Sequence, residues 1–115
     1  MKRFEIASVV NRLGISANYK GYDYIISGVQ MIMQNTSLAH QTTKVVSLIA
    51  KEYDTTNTGV DRAIRVALKG CLYRADSETV KKIFGYNIGN KIPKVSEFLA
   101  TVADYLSMVG DENGR

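Results

Sequence analysis

An apolar pattern between Val60 and Ala75 constrains the fold of this chain more than any other feature. Its apolar residues stand at positions i, i+3, i+4, i+7, i+8, i+11, i+12 and i+15: Val60, Ala63, Ile64, Ala67, Leu68, Cys71, Leu72 and Ala75. Because an α-helix turns once in about 3.6 residues, this spacing places all of them on one face. The pattern predicts a long amphipathic helix with one side in a hydrophobic core.

Five other segments show the same helical spacing, and glycines follow three of them where a helix C-cap belongs. The glycines are Gly14, Gly85 and Gly110. The apolar positions are Ile6, Val9, Val10 and Leu13; Tyr22, Ile25, Ile26, Val29, Ile32 and Met33; Val46, Ile49, Ala50 and Tyr53; Val80, Ile83 and Phe84; and Phe98, Leu99, Val102, Ala103, Leu106 and Val109. No strand pattern competes with them. The predicted fold class is therefore all-α, a compact six-helix domain.

The composition is that of one globular domain. The chain has 115 residues, of which 45% are hydrophobic and 23% are charged. Domains of this length bury a sufficient core without disulfides or metals. We predict a single helical domain over residues 1–110, followed by a tail over residues 111–115 that we expect to fray.

Charge and residue content narrow the function classes. The formal net charge of +4 favours a polyanionic partner. One cysteine, Cys71, and one histidine, His40, offer no disulfide framework and no metal-ligand cluster. No signal peptide, membrane span, glycine-rich phosphate loop or nucleophile–base pair is recognisable. We therefore expect a cytoplasmic protein that is not an enzyme, with no catalytic residue, metal, cofactor, small-molecule substrate or membrane partner.

The segment from Val45 to Ala75 has the ingredients of a helix-turn-helix. A short apolar pattern is followed by the turn and N-cap residues of the Asp54–Thr58 cluster, and then by the long helix. In such a unit the second helix enters the major groove of DNA. We predict a recognition helix over about residues 57–75, with an outer face that carries Asp61, Arg62, Arg65 and Lys69.

The two arginines on that face are the candidates for reading bases. A guanidinium can donate two hydrogen bonds to guanine, which discriminates by roughly 1–3 kcal/mol. Asp61 could accept from a cytosine amino group, and its spacing from Arg65 also suits an i, i+4 ion pair, so both roles could coexist. From the pattern alone, a solvated helix face without a ligand explains these charges equally well.

A resemblance that covers most of the chain decides between these interpretations. The strings that carry it are KGYDYI at Lys20 to Ile25, TKV at Thr43 to Val45, IAKEYDTT at Ile49 to Thr56, VDRAIR at Val60 to Arg65, KIFGY at Lys82 to Tyr86 and SEFLATVADYL at Ser96 to Leu106. In this order, from about Leu13 to Leu106, the chain resembles the C-terminal effector domain of the stage-zero sporulation protein A family, the master sporulation response regulator of endospore-forming Firmicutes.

The resemblance implies a six-helix fold whose third and fourth helices form the helix-turn-helix. It implies recognition of short boxes in double-stranded DNA, often in tandem, and a head-to-tail homodimer through the last helix. Contacts with an RNA polymerase sigma factor are implied around the fifth helix. The family's base-contacting positions fall on Gly59, Asp61, Arg62, Arg65 and Val66. For the DNA backbone we predict contacts from Lys20, Lys44, Thr56, Asn57, Thr58 and Lys69.

The chain departs from the family pattern at three places. Gly59 stands where the family usually has arginine, and Val66 stands where it usually has histidine. The Val45–Ile49 segment looks one residue shorter than the pattern and lacks its proline, which leaves the start of the third helix open. The loss of base-contacting side chains at Gly59 and Val66 is an alternative sign of a paralogue that does not read DNA. Such a paralogue would bind a full-length relative or sigma factor instead. Coating of DNA without sequence preference is a third alternative.

No receiver domain is expected in these residues, because no phosphorylatable aspartate pocket of the family's kind precedes Leu13. Either the chain is an excised domain, or it is a standalone protein that binds constitutively or competes with a full-length relative. Both alternatives remain open at the level of the sequence.

Overall fold

A computed structural model describes residues 2–85 and 91–113 of the chain, with side chains described up to residue 110. This part of the chain contains six α-helices and no strand, which confirms the all-α prediction. The helices are α1 (Arg3–Arg12), α2 (Lys20–Gln34), α3 (Thr42–Glu52), α4 (Asn57–Cys71), α5 (Ser77–Phe84) and α6 (Val95–Asn113). Two 3₁₀ turns, Thr36–His40 and Leu72–Arg74, lie between them. None of the described helices is both long enough and apolar enough to cross a membrane.

The second helix, α2, lies at the centre of the fold. It packs against α1, α3, α4 and α6. Every helix contributes fully or largely buried apolar side chains from its predicted face, among them Ile6, Ile25, Ile49, Ile64, Val80 and Phe98. Burial of this continuous core is the main force that holds the six short elements together, because isolated helices of this length are marginal in water.

Two predicted glycine stops are confirmed by the backbone. Gly14, directly after the C-cap of α1, has φ of 85°, and Gly85, at the C-cap of α5, has φ of 81°. A left-handed residue ends a helix by turning its backbone away from the helix axis, and glycine adopts this conformation without steric cost. At Gly14 a side chain is also excluded by space, since an added Cβ would lie 2.8 Å from the carbonyl oxygen of Cys71.

The predicted extent of the recognition helix, to about residue 75, is wrong by one turn. α4 ends at Cys71 and the chain tightens into the Leu72–Arg74 3₁₀ turn. The apolar pattern continues past the helix end because Leu72 still points into the core. Asp76 then starts α5 as its N-cap, accepting hydrogen bonds from the hydroxyl and backbone N–H of Thr79, which lower the pKa of the Asp76 carboxyl.

Other boundaries also differ from the prediction. The connection from Asn35 to Gln41 contains the Thr36–His40 3₁₀ turn, and α3 begins at Thr42, which settles the open start of that helix. α6 continues through Gly110 to Asn113 rather than ending before the glycine. A glycine in a helix costs roughly 1 kcal/mol relative to alanine but does not forbid the helical conformation. The end of the predicted tail, Gly114 and Arg115, lies outside the described residues, as does Tyr86.

The crossing of α2 and α4 depends on Gly21. An added Cβ there would lie 2.4 Å from the carbonyl oxygen of Ala63 and 3.0 Å from the Cβ of Ala67. The first obstacle is backbone, which cannot rotate aside. The two helices therefore approach as closely as their main chains allow, and this contact fixes α4 against the core.

Gly21→Ala is expected to destabilise the fold by about 1–3 kcal/mol, the usual cost of overpacking, measured as a lower midpoint in urea unfolding. Gly28→Ala in the same helix is the matched control, because its nearest obstacles are the terminal methyls of Ile49 and Leu99, at 3.1 and 3.2 Å. Those methyls can rotate, and alanine gains helix propensity. Equal losses for the two variants would contradict the assigned role of Gly21.

Candidate nucleic-acid interface

The joint between α3 and α4 is fixed by one backbone conformation and two side-chain hydrogen bonds. Residues 53–56 connect the helices, with Asp54 in a left-handed conformation at φ of 54°. Thr56 caps α4, its hydroxyl oxygen accepting a 3.0 Å hydrogen bond from the backbone N–H of Gly59. The side-chain amide of Asn57 donates across the joint to the hydroxyl of Ser47, at 2.8 Å. The angle between the helices is thus set by side chains as well as by the turn.

The outer face of α4 carries the predicted base-contacting side chains. Arg62, Arg65, Val66 and Lys69 are exposed, and Asp61 is partly exposed. On the opposite side of the helix the fully buried residues are Val60, Ile64, Ala67, Leu68 and Cys71. The core therefore holds one face of α4 while the other presents two arginines and a lysine to solvent.

Asp61 and Arg65 form an ion pair one helical turn apart. The predicted intrahelical ion pair of Asp61 is confirmed, and its contact with a base stays a prediction. The contact uses one terminal nitrogen of the guanidinium, which leaves the other N–H groups of its fork to a ligand. Both side chains remain substantially exposed, so the pair contributes little to stability and mainly orients Arg65. In the described part of the chain Arg62 has no ion-pair partner.

The residues predicted to contact the DNA backbone fall into two groups. In the first group, Lys20, Lys44, Thr58 and Lys69 are exposed. Thr56 and Asn57 are also exposed, but their side chains hydrogen-bond within the protein and shape the start of α4. Lys20 lies at the first turn of α2 and Lys44 at the first turn of α3, where backbone N–H groups and the helix dipole favour anions.

A cavity of about 390 Å³ lies between α4 and the N-terminal end of α2. We call it the α2–α4 notch, and it is lined by Asn18, Tyr19, Lys20, Gly59, Arg62, Ala63 and Val66. It brings Lys20 of α2 together with Gly59, Arg62 and Val66 of α4, two segments whose contact the sequence did not predict. Asn18 and Tyr19 were not anticipated as part of this surface. The glycines at Gly21 and Gly70 were the available signal, since each marks a close approach to the same flank of α4.

Tyr19 forms the fixed wall of the notch. An added Cβ at Gly70 would lie 2.7 Å from the Tyr19 hydroxyl oxygen, so the glycine in α4 makes room for the tyrosine. This explains a helix glycine that otherwise only weakens α4. A hydrogen bond with the Cys71 thiol raises the pKa of Tyr19 above its ordinary value of 10.0. Its phenol is neutral at physiological pH and is engaged with the protein.

The described residues contain no group of three or more His, Cys, Asp or Glu side chains that could hold a metal ion. His40 is exposed, on the Thr36–His40 turn. Cys71 is fully buried and acts as a small apolar core residue.

The model of the family described as "Sporulation initiation factor Spo0A C terminal" matches residues 6–106. The chain belongs to this family. The match begins in α1, ends in α6 and spans the α3–α4 joint and the whole of α4. The resemblance found in the sequence, from about Leu13 to Leu106, lies wholly within the matched residues and is confirmed.

Membership in the Spo0A C-terminal family gives the general function. These domains are DNA-binding effector domains, so double-stranded DNA is the partner class and transcription regulation is the process. The Spo0A C-terminal family is a regulatory family and not a known enzyme family. The exposed cations on the outer face of α4 in this chain are Arg62, Arg65 and Lys69.

Proposed function

We propose that this domain binds double-stranded DNA sequence-specifically in the bacterial cytoplasm and regulates transcription, with α3 and α4 as a helix-turn-helix and α4 in the major groove. One observation carries the proposal. Arg62, Arg65 and Lys69 are exposed together on the side of α4 that faces away from the core. A helix held in this way presents side chains to base edges without rearrangement of the fold.

The contacts divide by chemistry into readout and positioning. We assign the reading of bases to Asp61, Arg62 and Arg65, with Gly59 and Val66 facing the same groove. Positioning on phosphates is assigned to Lys20, Lys44, Thr56, Asn57, Thr58 and Lys69. Thr56 and Asn57 contribute to this indirectly as well, because their hydrogen bonds fix the start of α4.

The ion pair with Asp61 supports Arg65 as the more specific reader. An exposed arginine loses rotamer freedom when it binds, which costs up to about 2 kcal/mol of side-chain entropy. Asp61 restrains the guanidinium before DNA arrives. Arg62 lies beside the notch without such a restraint in the described part of the chain. We therefore expect Arg65 to discriminate more sharply between bases than Arg62.

Arg65→Ala is expected to relax sequence preference at one base position, with a loss of roughly 1–3 kcal/mol on the preferred duplex and little loss on a scrambled one. The measurement is a fluorescence-anisotropy titration against a duplex with tandem sporulation-type boxes and against the scrambled duplex, each at two salt concentrations. Lys69→Ala is the control, since loss of a phosphate contact weakens both duplexes alike. Equal losses on both duplexes for Arg65→Ala would remove Arg65 from base readout.

A second candidate function is suggested by Gly59 and Val66, which cannot donate hydrogen bonds from side chains. In this function the domain would bind another protein. It would bind a full-length relative head to tail through α6, or sigma factor through the α5 region. Exposed groups support both surfaces: Met108 on α6 is 55% exposed, and Lys81 and Lys82 on α5 are exposed. Tight binding to one box, together with no capture of purified sigma factor or full-length relative, would exclude this function.

A further inference from the structure

Val66 is an apolar side chain at the centre of a charged surface. It is 51% exposed on α4, in a face that otherwise carries Arg62, Arg65 and Lys69. It also forms part of the α2–α4 notch, together with Ala63 and Gly59 of the same helix. The α4 side of the notch therefore offers apolar surface beside the charged side chain of Arg62.

The rim of the notch carries positive charge. Lys20 and Arg62 both line it, and the seven lining residues include no carboxylate. A ligand that matches the notch has an apolar group that packs on Ala63 and Val66, and negative charge near Lys20 and Arg62. An apolar protein surface would pack on Ala63 and Val66 but would leave Lys20 and Arg62 without anionic partners. A nucleotide in duplex DNA offers both an apolar group and a phosphate.

The major groove offers one apolar group, the C5-methyl of thymine. Val66 follows Arg62 by one helical turn, so the two side chains are neighbours on the outer surface of α4. Gly59 contributes only backbone to the lining of the notch. Lys20 lines the notch from the first turn of α2, on the side opposite α4.

We propose that the α2–α4 notch, through Val66, reads the C5-methyl group of a thymine next to the base pair that Arg62 contacts. The proposal rests on the proposed function, since it requires α4 to lie in the major groove. Val66 is then a specificity-determining residue, although its side chain has no hydrogen-bonding group. Lys20 has a second role as the wall that sets the width of the notch.

The test compares thymine with deoxyuridine, which lacks only the methyl group. The preferred duplex is first selected from randomised sequences with the full chain, and its thymines are then replaced one at a time in anisotropy titrations. One replacement is expected to weaken binding roughly four-fold, the value of one buried methyl-sized group. For Val66→Ala the same replacement is expected to have no effect. Phe4→Ala, which truncates an exposed apolar residue of α1, should keep the four-fold difference.

The possible results distinguish failure of the thymine contact from failure of sequence-specific DNA binding. A selection that yields no preferred sequence would overturn sequence-specific binding and the thymine contact together. A preferred sequence whose affinity is unchanged by deoxyuridine at every thymine would overturn the thymine contact alone. So would an equal loss for wild type and Val66→Ala, because the methyl would then act without Val66. Circular dichroism of Val66→Ala should match wild type, since the side chain lies half in solvent.

Discussion

Replacing Lys20, Lys44 and Lys69 together by glutamine is expected to weaken binding to any duplex about 500-fold at roughly 0.1 M salt. Each lysine that neutralises a phosphate releases a counterion, and the affinity depends on salt with a slope of about 0.9 per contact. The three substitutions should therefore reduce the slope of log affinity against log salt by about 2.7. The loss that comes from phosphate contacts should be the same for preferred and scrambled duplexes, because phosphates carry no sequence information.

The matched control replaces Lys81, Lys91 and Lys94, which are also exposed but lie on α5 and before α6. Both triple variants lower the net charge by the same amount. Titrations at several salt concentrations then separate local contacts from the overall field of the protein. If the control variant lost as much affinity and as much slope as the first, the assignment of Lys20, Lys44 and Lys69 to phosphates would be wrong.

Phe98→Ala is expected to cost about 3–5 kcal/mol of unfolding free energy, which is a large part of the stability of a domain of this size. Phe98 is the largest fully buried side chain, and its ring stacks on Phe84 with the centroids 5.8 Å apart. Truncation removes apolar contact and leaves a cavity between α5, α6 and the core. The measurement is the urea midpoint of unfolding followed by circular dichroism.

Phe4→Ala provides the comparison for this variant, because Phe4 is 68% exposed on α1. Its truncation should change stability by no more than about 0.5 kcal/mol. Under conditions where both variants remain folded, both should bind DNA as wild type does, since neither residue belongs to the proposed interface. A Phe98→Ala protein with the stability of wild type would mean that α5 and α6 do not share the core.

The periodic features of the sequence predicted most of the fold. Apolar spacing identified the buried faces of all six helices, and the turn cluster before Gly59 located the start of α4 at Asn57. Boundaries were less predictable. The end of α4 was placed too late because Leu72 is buried whether it belongs to an α-helix or to a 3₁₀ turn, and burial alone leaves the same pattern in the sequence.

The candidate site was predictable from the sequence only for residues that lie within one helix. Arg62, Arg65 and Lys69 follow from helical spacing, and so does the alternative in which Asp61 pairs with Arg65. The hydrogen bond between Asn57 and Ser47 and the wall provided by Tyr19 depend on how helices cross. Such contacts join segments that are distant in the chain, and single-residue patterns do not encode their geometry. The α2–α4 notch therefore emerged only from the structure.

The contact between Gly21 and Ala63 makes α2 a support for α4, the proposed recognition helix. Near its start α2 abuts the backbone of α4, and further along, at Gly28, it rests against Leu99 of α6. Lys20 at the same end forms a wall of the notch. A tilt of α2 would consequently change the inclination of α4 and the width of the notch in one movement. A second molecule bound to α6 would therefore affect both α4 and the notch through α2.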